Sequence, residues 1–240
     1  MDKVRAICRR EFAGYFNTPL GYIVVAVFLL CFGFFFFYVV DVLGSQVASM
    51  RGLFQLAPLI LAVLTPVVTM RLVAEERANG TIELLLTLPV TEWQVVLGKY
   101  LAAIGVVALA TALTLPYAAT LMLLGDLDLG PVLGGYFGLL LMAGGYVSLG
   151  LICSCITNSQ VVAALWALLL CIGFWIADKL AAGLPGGPLS DGLRSLGFGY
   201  HFRNIQRGVL DTRDLLYFLS VIVVSLALSV LVLKRQRLRT

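Results

Sequence analysis

Few side chains in this sequence can do chemistry, and their spacing rules out most of it. His201 is the only histidine, so no second imidazole is present in the chain to share a haem iron. Cys153-Ser154-Cys155 places two thiols close together. Neither histidine nor carboxylate stands near them, and the trio reads as small-residue packing where a helix closes rather than as a metal site. No G-x-x-x-x-G-K-[ST] run occurs, so the chain has no loop of that kind for ATP phosphates. No Ser/His/Asp set and no paired carboxylates suggest hydrolysis. The chain is expected to be non-catalytic. What remains is Met70–Tyr100, MRLVAEERANGTIELLLTLPVTEWQVVLGKY, where Arg71, Glu75, Glu76, Arg77, Glu83, Glu92 and Lys99 interleave with apolar residues. Such a stretch recognises a partner rather than transforming a substrate.

The elements that hold this stretch are membrane spans. Hydrophobic residues make up 60% of the 240 and charged ones 12%, with a mean hydropathy of +0.99. A soluble surface needs far more charge. The apolar runs are continuous rather than alternating, which predicts an all-α integral membrane protein and not a barrel. A net charge of +4 gives little support for nucleic-acid binding. None of the five cysteines lies in a predicted external loop, so no disulfide is expected.

Residues 1–19 are a basic arm. Val4, Ile7, Cys8, Phe12, Tyr15 and Phe16 recur at helical spacing, with Arg5, Arg9 and Arg10 mostly elsewhere, which predicts an amphipathic helix in the membrane interface. The apolar run behind it is too long for the core of a signal peptide, and no small-residue cleavage site follows. Spans are predicted at about 21–40, 56–73, 95–124, 131–156, 161–177 and 215–233, in one transmembrane domain covering 1–240. The first is uncharged and holds fourteen Ile, Val, Leu or Phe residues; at about −0.3 to −0.6 kcal/mol each, insertion gains roughly 4 to 8 kcal/mol. Pro58 and Pro66 predict a kink in the second, with Thr65 and Thr69 placed to satisfy freed carbonyls. That helix is expected to run on into water, Arg71 pairing with Glu75, and to stop at Asn79-Gly80. The third span is long and must tilt, protrude or kink at Pro116; Thr91-x-x-Gln94 is its capping box. The fourth carries Gly134-x-x-x-Gly138, Gly144, Gly145 and Gly150, which suit close helix packing within one subunit or a dimer face equally well.

An even number of spans puts both termini on one side. That side holds Lys3, Arg5, Arg9, Arg10, Arg71, Arg77, Lys99, Lys234, Arg235, Arg237 and Arg239, which is 11 of the 17 basic residues. The positive-inside rule therefore places the termini and residues 74–94 in the cytoplasm and residues 178–214 outside. The spans are essentially free of charge, which disfavours a carrier driven by protons or sodium. Any uphill work must draw its energy from another subunit.

Within the cytoplasmic loop, Thr81 can cap a short helix, Ile82 to Leu86, with Glu83 in its first turn; Leu84 lies within it, and Pro89 ends the pattern. Ile82, Leu85 and Leu86 share a face. A plain interfacial helix packed on lipid or on the spans fits the same spacing. The slightly acidic balance of the stretch points instead to a protein partner.

Arg71 to Val90, R-L-V-A-E-E-R-x-x-G-T-I-E-L-L-L-T-L-P-V, resembles the cytoplasmic loop of permeases of the second ABC exporter type, and within them the GldF-like branch that includes NosY-like permeases. Tyr200 to Phe218 is similar to the segment before the last span in that branch. The resemblance implies a bacterial inner-membrane permease whose coupling helix, Thr81 to Leu86, seats on a cytoplasmic ABC ATPase subunit. Glu75, Glu76, Arg77, Gly80 and Pro89 would flank it. It also implies re-entrant helices outside, at Leu189 to Phe198 and Phe202 to Val209, where Tyr200, His201 and Phe202 order a cap or meet substrate. Further implied partners are a second permease, identical or related, membrane lipid, and a periplasmic or external accessory protein. ATP and Mg2+ belong to the ATPase, with no cofactor on this chain. The alternative role is a non-transporting anchor or mechanical transmitter, as in a gliding-motility machine.

Overall fold

Each apolar run becomes a helix, and the places where the helices break are set by residues far away in sequence. The structure, a computed structural model, describes residues 2–39, 50–81, 90–124, 128–185, 187–208 and 211–237. The described residues form helices joined by turns, with no strand among them. Among the described residues, six helices or helix pairs are long and apolar enough to cross a membrane.

The basic arm is α1, Asp2–Asn17. Its apolar stripe packs on the third span rather than facing lipid alone: Ile7 lies over Gly98 and Phe12 over Gly105. Thr18 is extended (φ −114°, ψ 152°), as a residue before proline must be. Pro19 then opens α2, Pro19–Phe34, earlier than residue 21 because proline suits the first helical position. A single π turn, Phe35–Val39, follows.

The second span is α3, Arg51–Thr69, with Pro58 and Pro66 inside it. The expected unbroken run into water is corrected here. The chain turns over residues 70–73 and restarts as α4, Ala74–Ala78. Thr69 does donate to backbone, at Thr65 O (3.1 Å), but the Thr65 hydroxyl has no hydrogen-bond partner among the described residues. The third span is two helices, α5, Glu92–Ala112, and α6, Leu115–Leu124. The break at Leu113-Thr114 lies just before Pro116, which lacks a donor for the preceding turn, and Thr114 Oγ1 closes it by donating to Thr111 O (2.7 Å).

The fourth span, α7, Leu129–Ile156, is the axis of the molecule: 78% of its apolar window is buried, against 22% for the fifth, α8, Gln160–Gly183. Glycine makes that burial possible. A Cβ at Gly150 would sit 2.1 Å from Thr69 Oγ1, and one at Gly145 would sit 2.9 Å from the Phe198 ring. Gly134 and Gly138 face Ile205 in the same way. Of the two readings of the glycine-rich helix, these contacts belong to packing within one subunit. Beyond α8 come α9, Pro188–Leu196, and α10, Phe198–Gln206, then the last span, α11, Thr212–Arg237. The second distal helix begins at Phe198 rather than Phe202. Phe198 is fully buried among Tyr146, Phe174 and Phe218, which anchors the helix start.

Candidate functional site

Most of the described charged residues of Met70–Tyr100 are gathered into a mount on the side of the bundle where α11 ends. Lys99, in the second turn of α5, is 1% exposed. Its Nζ lies 3.0 Å from Glu11 Oε1 of α1 and 2.9 Å from Glu76 Oε1 of α4. Arg10 adds a more distant guanidinium, 4.0 Å from Glu76. The reading that the spans are essentially uncharged is corrected at this point, since a buried ammonium stands inside the third. It sits near that helix's end and is matched by two carboxylates, so it is a structural joint and not a midplane ion site. An ammonium with no water needs such partners, because its desolvation costs several kcal/mol, roughly, when unpaired.

Glu75 faces the other way. Both its oxygens take Arg71, Nε at 2.6 Å and Nη2 at 3.0 Å, and Arg71 Nη1 donates to Thr18 Oγ1 (3.3 Å). This is the expected Arg71–Glu75 pair, extended to the α1–α2 corner. Tyr15 of α1 donates its hydroxyl to Val68 O (2.7 Å). Burial pushes that phenol well above its ordinary range, which keeps it a donor. So α1 is tied to both sides of the α3–α4 break.

The break itself is held by Ser154 of α7. Its Oγ accepts from Val73 N–H (3.0 Å) and Ala74 N–H (3.0 Å) and donates to Met70 O (3.2 Å). A helix start leaves amides without partners, and here a side chain from another span supplies one. The Cys153-Ser154-Cys155 trio therefore matters through its middle residue. Next to it, half-buried Arg77 donates to Asn158 Oδ1 (3.4 Å).

The end of α4 is a Schellman turn. Gly80 has φ +69°, Thr81 N–H donates to Glu76 O (2.9 Å) and Gly80 N–H to Arg77 O (3.1 Å). Gly80 is thus the stop expected at Asn79-Gly80. The Thr81 hydroxyl donates to Glu76 O (3.2 Å), which leaves its oxygen free to accept; the helix it is expected to cap is outside the described residues. Ile82, Glu83, Leu84, Leu85, Leu86 and Pro89 lie outside the described residues. On the far flank, Thr91 and Gln94 form the expected capping box (3.2 and 3.4 Å). Glu92 accepts from Arg237 at the end of α11 (2.8 Å).

The distal cap brings together a second polar cluster. His201 is buried, with Nδ1 2.6 Å from Asp214 Oδ1 and Nε2 2.9 Å from Ser195 O. Asn204 donates to the other Asp214 oxygen (3.0 Å). The imidazole stacks on Tyr217 at 3.9 Å, and Tyr217 donates to Leu196 O (2.6 Å). Phe202 is buried, and the Tyr200 ring lies under Arg194 (4.8 Å). All three expected cap residues are in contact with their own neighbours.

Sequence reasoning missed Glu11, Ser154, Asp214 and the joint made by Lys99. A lone lysine inside an apolar run, and a lone glutamate on a basic helix, were the signals that could have found Lys99 and Glu11. A six-span helical membrane protein with a polar mount between its second and third spans is the class that this geometry defines. A family model described as ABC-2 family transporter protein matches residues 35–238. The chain belongs to that family. No curated protein matches it.

Proposed function

We propose that the chain is the permease subunit of an ATP-driven export complex, with both termini and the 74–94 loop in the cytoplasm of a bacterial inner membrane. A separate ATPase subunit, holding ATP and Mg2+, docks on Thr81 to Leu86. A second permease, identical or related, completes the pair of spans. Membership of the ABC-2 transporter family supports a membrane subunit that works with an ATPase. The similarity of Arg71 to Val90 to GldF-like and NosY-like loops supports the finer branch.

The observation that carries the reading is the double anchorage of the loop. Its leading flank is fixed through Glu76 to Lys99 and Glu11, and its trailing flank through Glu92 to Arg237. A push on the segment between them moves α1, α4, α5 and α11 together. An ATPase dimer that binds one arrangement of these helices better than another shifts the bundle toward it.

The test is co-purification of the ATPase subunit and ATP-dependent function with Glu83→Arg and Leu85→Asp. Both are expected to drop, while the permease still folds. Unchanged association and function in both variants would sink the proposal.

A further inference from the structure

On the side of the bundle away from the termini, α3, α8 and α10 enclose a polar cleft that the docking mount does not use. Its outer part, about 400 Å3, is lined by Gln55, Arg203 and Arg207 among others. Its inner part, about 110 Å3, shares Gln55 and Arg203 and adds Trp175, Asp178 and Lys179. Basic residues on this face run against the positive-inside pattern, so their uses matter. Arg203 lies 3.0 Å from Asp178 Oδ2, Lys179 sits 3.5 Å over the Trp175 ring, and Arg194 covers Tyr200. Arg207 has no such use among the described residues, and it faces the cleft.

A second group is unfinished. Asp178 is 4% exposed, and its Oδ1 has no hydrogen-bond partner among the described residues. A buried carboxylate oxygen left in this way is costly and calls for a donor. The cleft thus offers guanidinium groups for an oxyanion at its mouth, and Asp178, which lines its inner end, keeps a buried carboxylate oxygen that still lacks a donor. Arg203 belongs to both parts. Trp175 suits the boundary between headgroups and acyl chains, and α8 has an apolar outer face with Leu165, Trp166 and Leu169 exposed.

We propose that the cleft binds the headgroup of an aminophospholipid in the distal leaflet. The phosphodiester lies on Arg203 and Arg207, and the primary ammonium donates to Asp178 Oδ1. A choline headgroup has no N–H to give. A glycerol headgroup donates only a neutral hydroxyl, which is the weaker bond to a carboxylate. Lys179 already covers the Trp175 face on which a quaternary ammonium would settle.

The test uses the full chain, purified in mild detergent with the subunits that accompany it. It is offered equal amounts of dioleoyl phosphatidylethanolamine, phosphatidylglycerol and phosphatidylcholine, and bound lipid is counted by native mass spectrometry. Phosphatidylethanolamine is expected to be retained several-fold over the other two. Arg207→Gln, at an exposed position, lowers its retention several-fold. Asp178→Asn keeps an acceptor for Arg203 and removes the preference for phosphatidylethanolamine over phosphatidylglycerol. Equal retention of all three lipids by the unaltered protein, or a preference for phosphatidylglycerol, overturns the assignment. So does displacement of the bound lipid by inorganic phosphate alone, which marks a site for the free anion. If Asp178→Asn fails to fold, the ranking of the three lipids and the Arg207→Gln result still decide the matter.

Discussion

Glu76 and Lys99 lie on opposite flanks of the loop, and they meet at 2.9 Å where the ammonium is shut off from water. The contact closes the loop at its base and ties α4 to the third span. Glu11 ties α1 to the same joint, at 3.0 Å from the same nitrogen. The charged residues of the stretch are therefore largely spent on each other. Their near-neutral sum reflects internal pairing as much as an outward preference for protein over lipid.

Replacing Lys99 by Met is expected to cost about 3 to 5 kcal/mol, because two carboxylates would be left together without their cation. Adding Glu11→Gln and Glu76→Gln to that variant should recover most of the loss, since the buried charge is then gone. Detergent-denaturation midpoints of the three proteins measure this. Equal midpoints for Lys99→Met and the unaltered protein would show that the joint is not under load.

Ser154→Ala removes the acceptor for two amides and the donor to Met70 O. The expected loss is about 2 to 3 kcal/mol, the cost of buried groups left without partners. Hydrogen exchange should quicken at Val73 and Ala74 first, because their amides are the ones released. Uniform exchange across α3 and α4 in both proteins would contradict this account.

The features legible in the sequence were those carried by neighbours in the chain. The Thr91-Gln94 capping box, the stop at Gly80 and the Arg71–Glu75 pair all act within five residues of themselves, and the structure has each one. The break after Thr69 was not legible, because its cause, Ser154, lies on another span and no local signal marks it. The Lys99 joint was hidden in the same way: lysine near a helix end reads as a topology marker, and only the fold brings Glu11 and Glu76 to it. At the cap, His201 stood out as the sole histidine, but its partner Asp214 read only as the last residue of the loop 178–214, and the structure puts it in the first turn of α11.

Two glycines should respond differently to alanine. At Gly150 the added Cβ meets Thr69 Oγ1 at 2.1 Å and Thr69 Cβ at 2.7 Å, so Gly150→Ala is expected to cost about 1 to 3 kcal/mol and Thr69→Ala, which keeps that Cβ, to relieve only part of it. At Gly197 the Cβ meets the Asp178 backbone nitrogen at 2.7 Å. No side-chain truncation relieves that, and Gly197→Ala should displace α9 and α10 from α8. Melting curves for the two single variants, and for Gly150→Ala with Thr69→Ala, separate the cases.

In the cap, both ring nitrogens of His201 face oxygens, and Asp214 is held by His201 and Asn204 together. His201→Ala leaves one Asp214 oxygen and the Ser195 carbonyl without partners and removes the ring stacked on Tyr217. About 2 to 3 kcal/mol is the expected cost, the range for hydrogen bonds to a charged group. Protease sensitivity of the chain between α9 and α11 should rise, and cleavage there at an unchanged rate would argue that the cap holds without the imidazole.

The Glu92–Arg237 contact separates stability from transmission. Arg237 is about half exposed, 47% by its side chain, so the pair should contribute only about 0.2 to 1 kcal/mol. Reversing the charges is a poor test, since an arginine at position 92 would also oppose the start of α5, where negative charge is favoured. Neutral replacements avoid that. Glu92→Gln, Arg237→Gln and the double variant form a cycle in which the coupling between the two residues is read directly. Midpoints of unfolding should move little in all three. ATP hydrolysis by the associated ATPase should change in each single variant, and by no more in the double, because either loss already breaks the same Glu92–Arg237 link. Independent, additive effects on hydrolysis would mean that the two residues act separately, and the second anchor of the loop would have to be sought elsewhere.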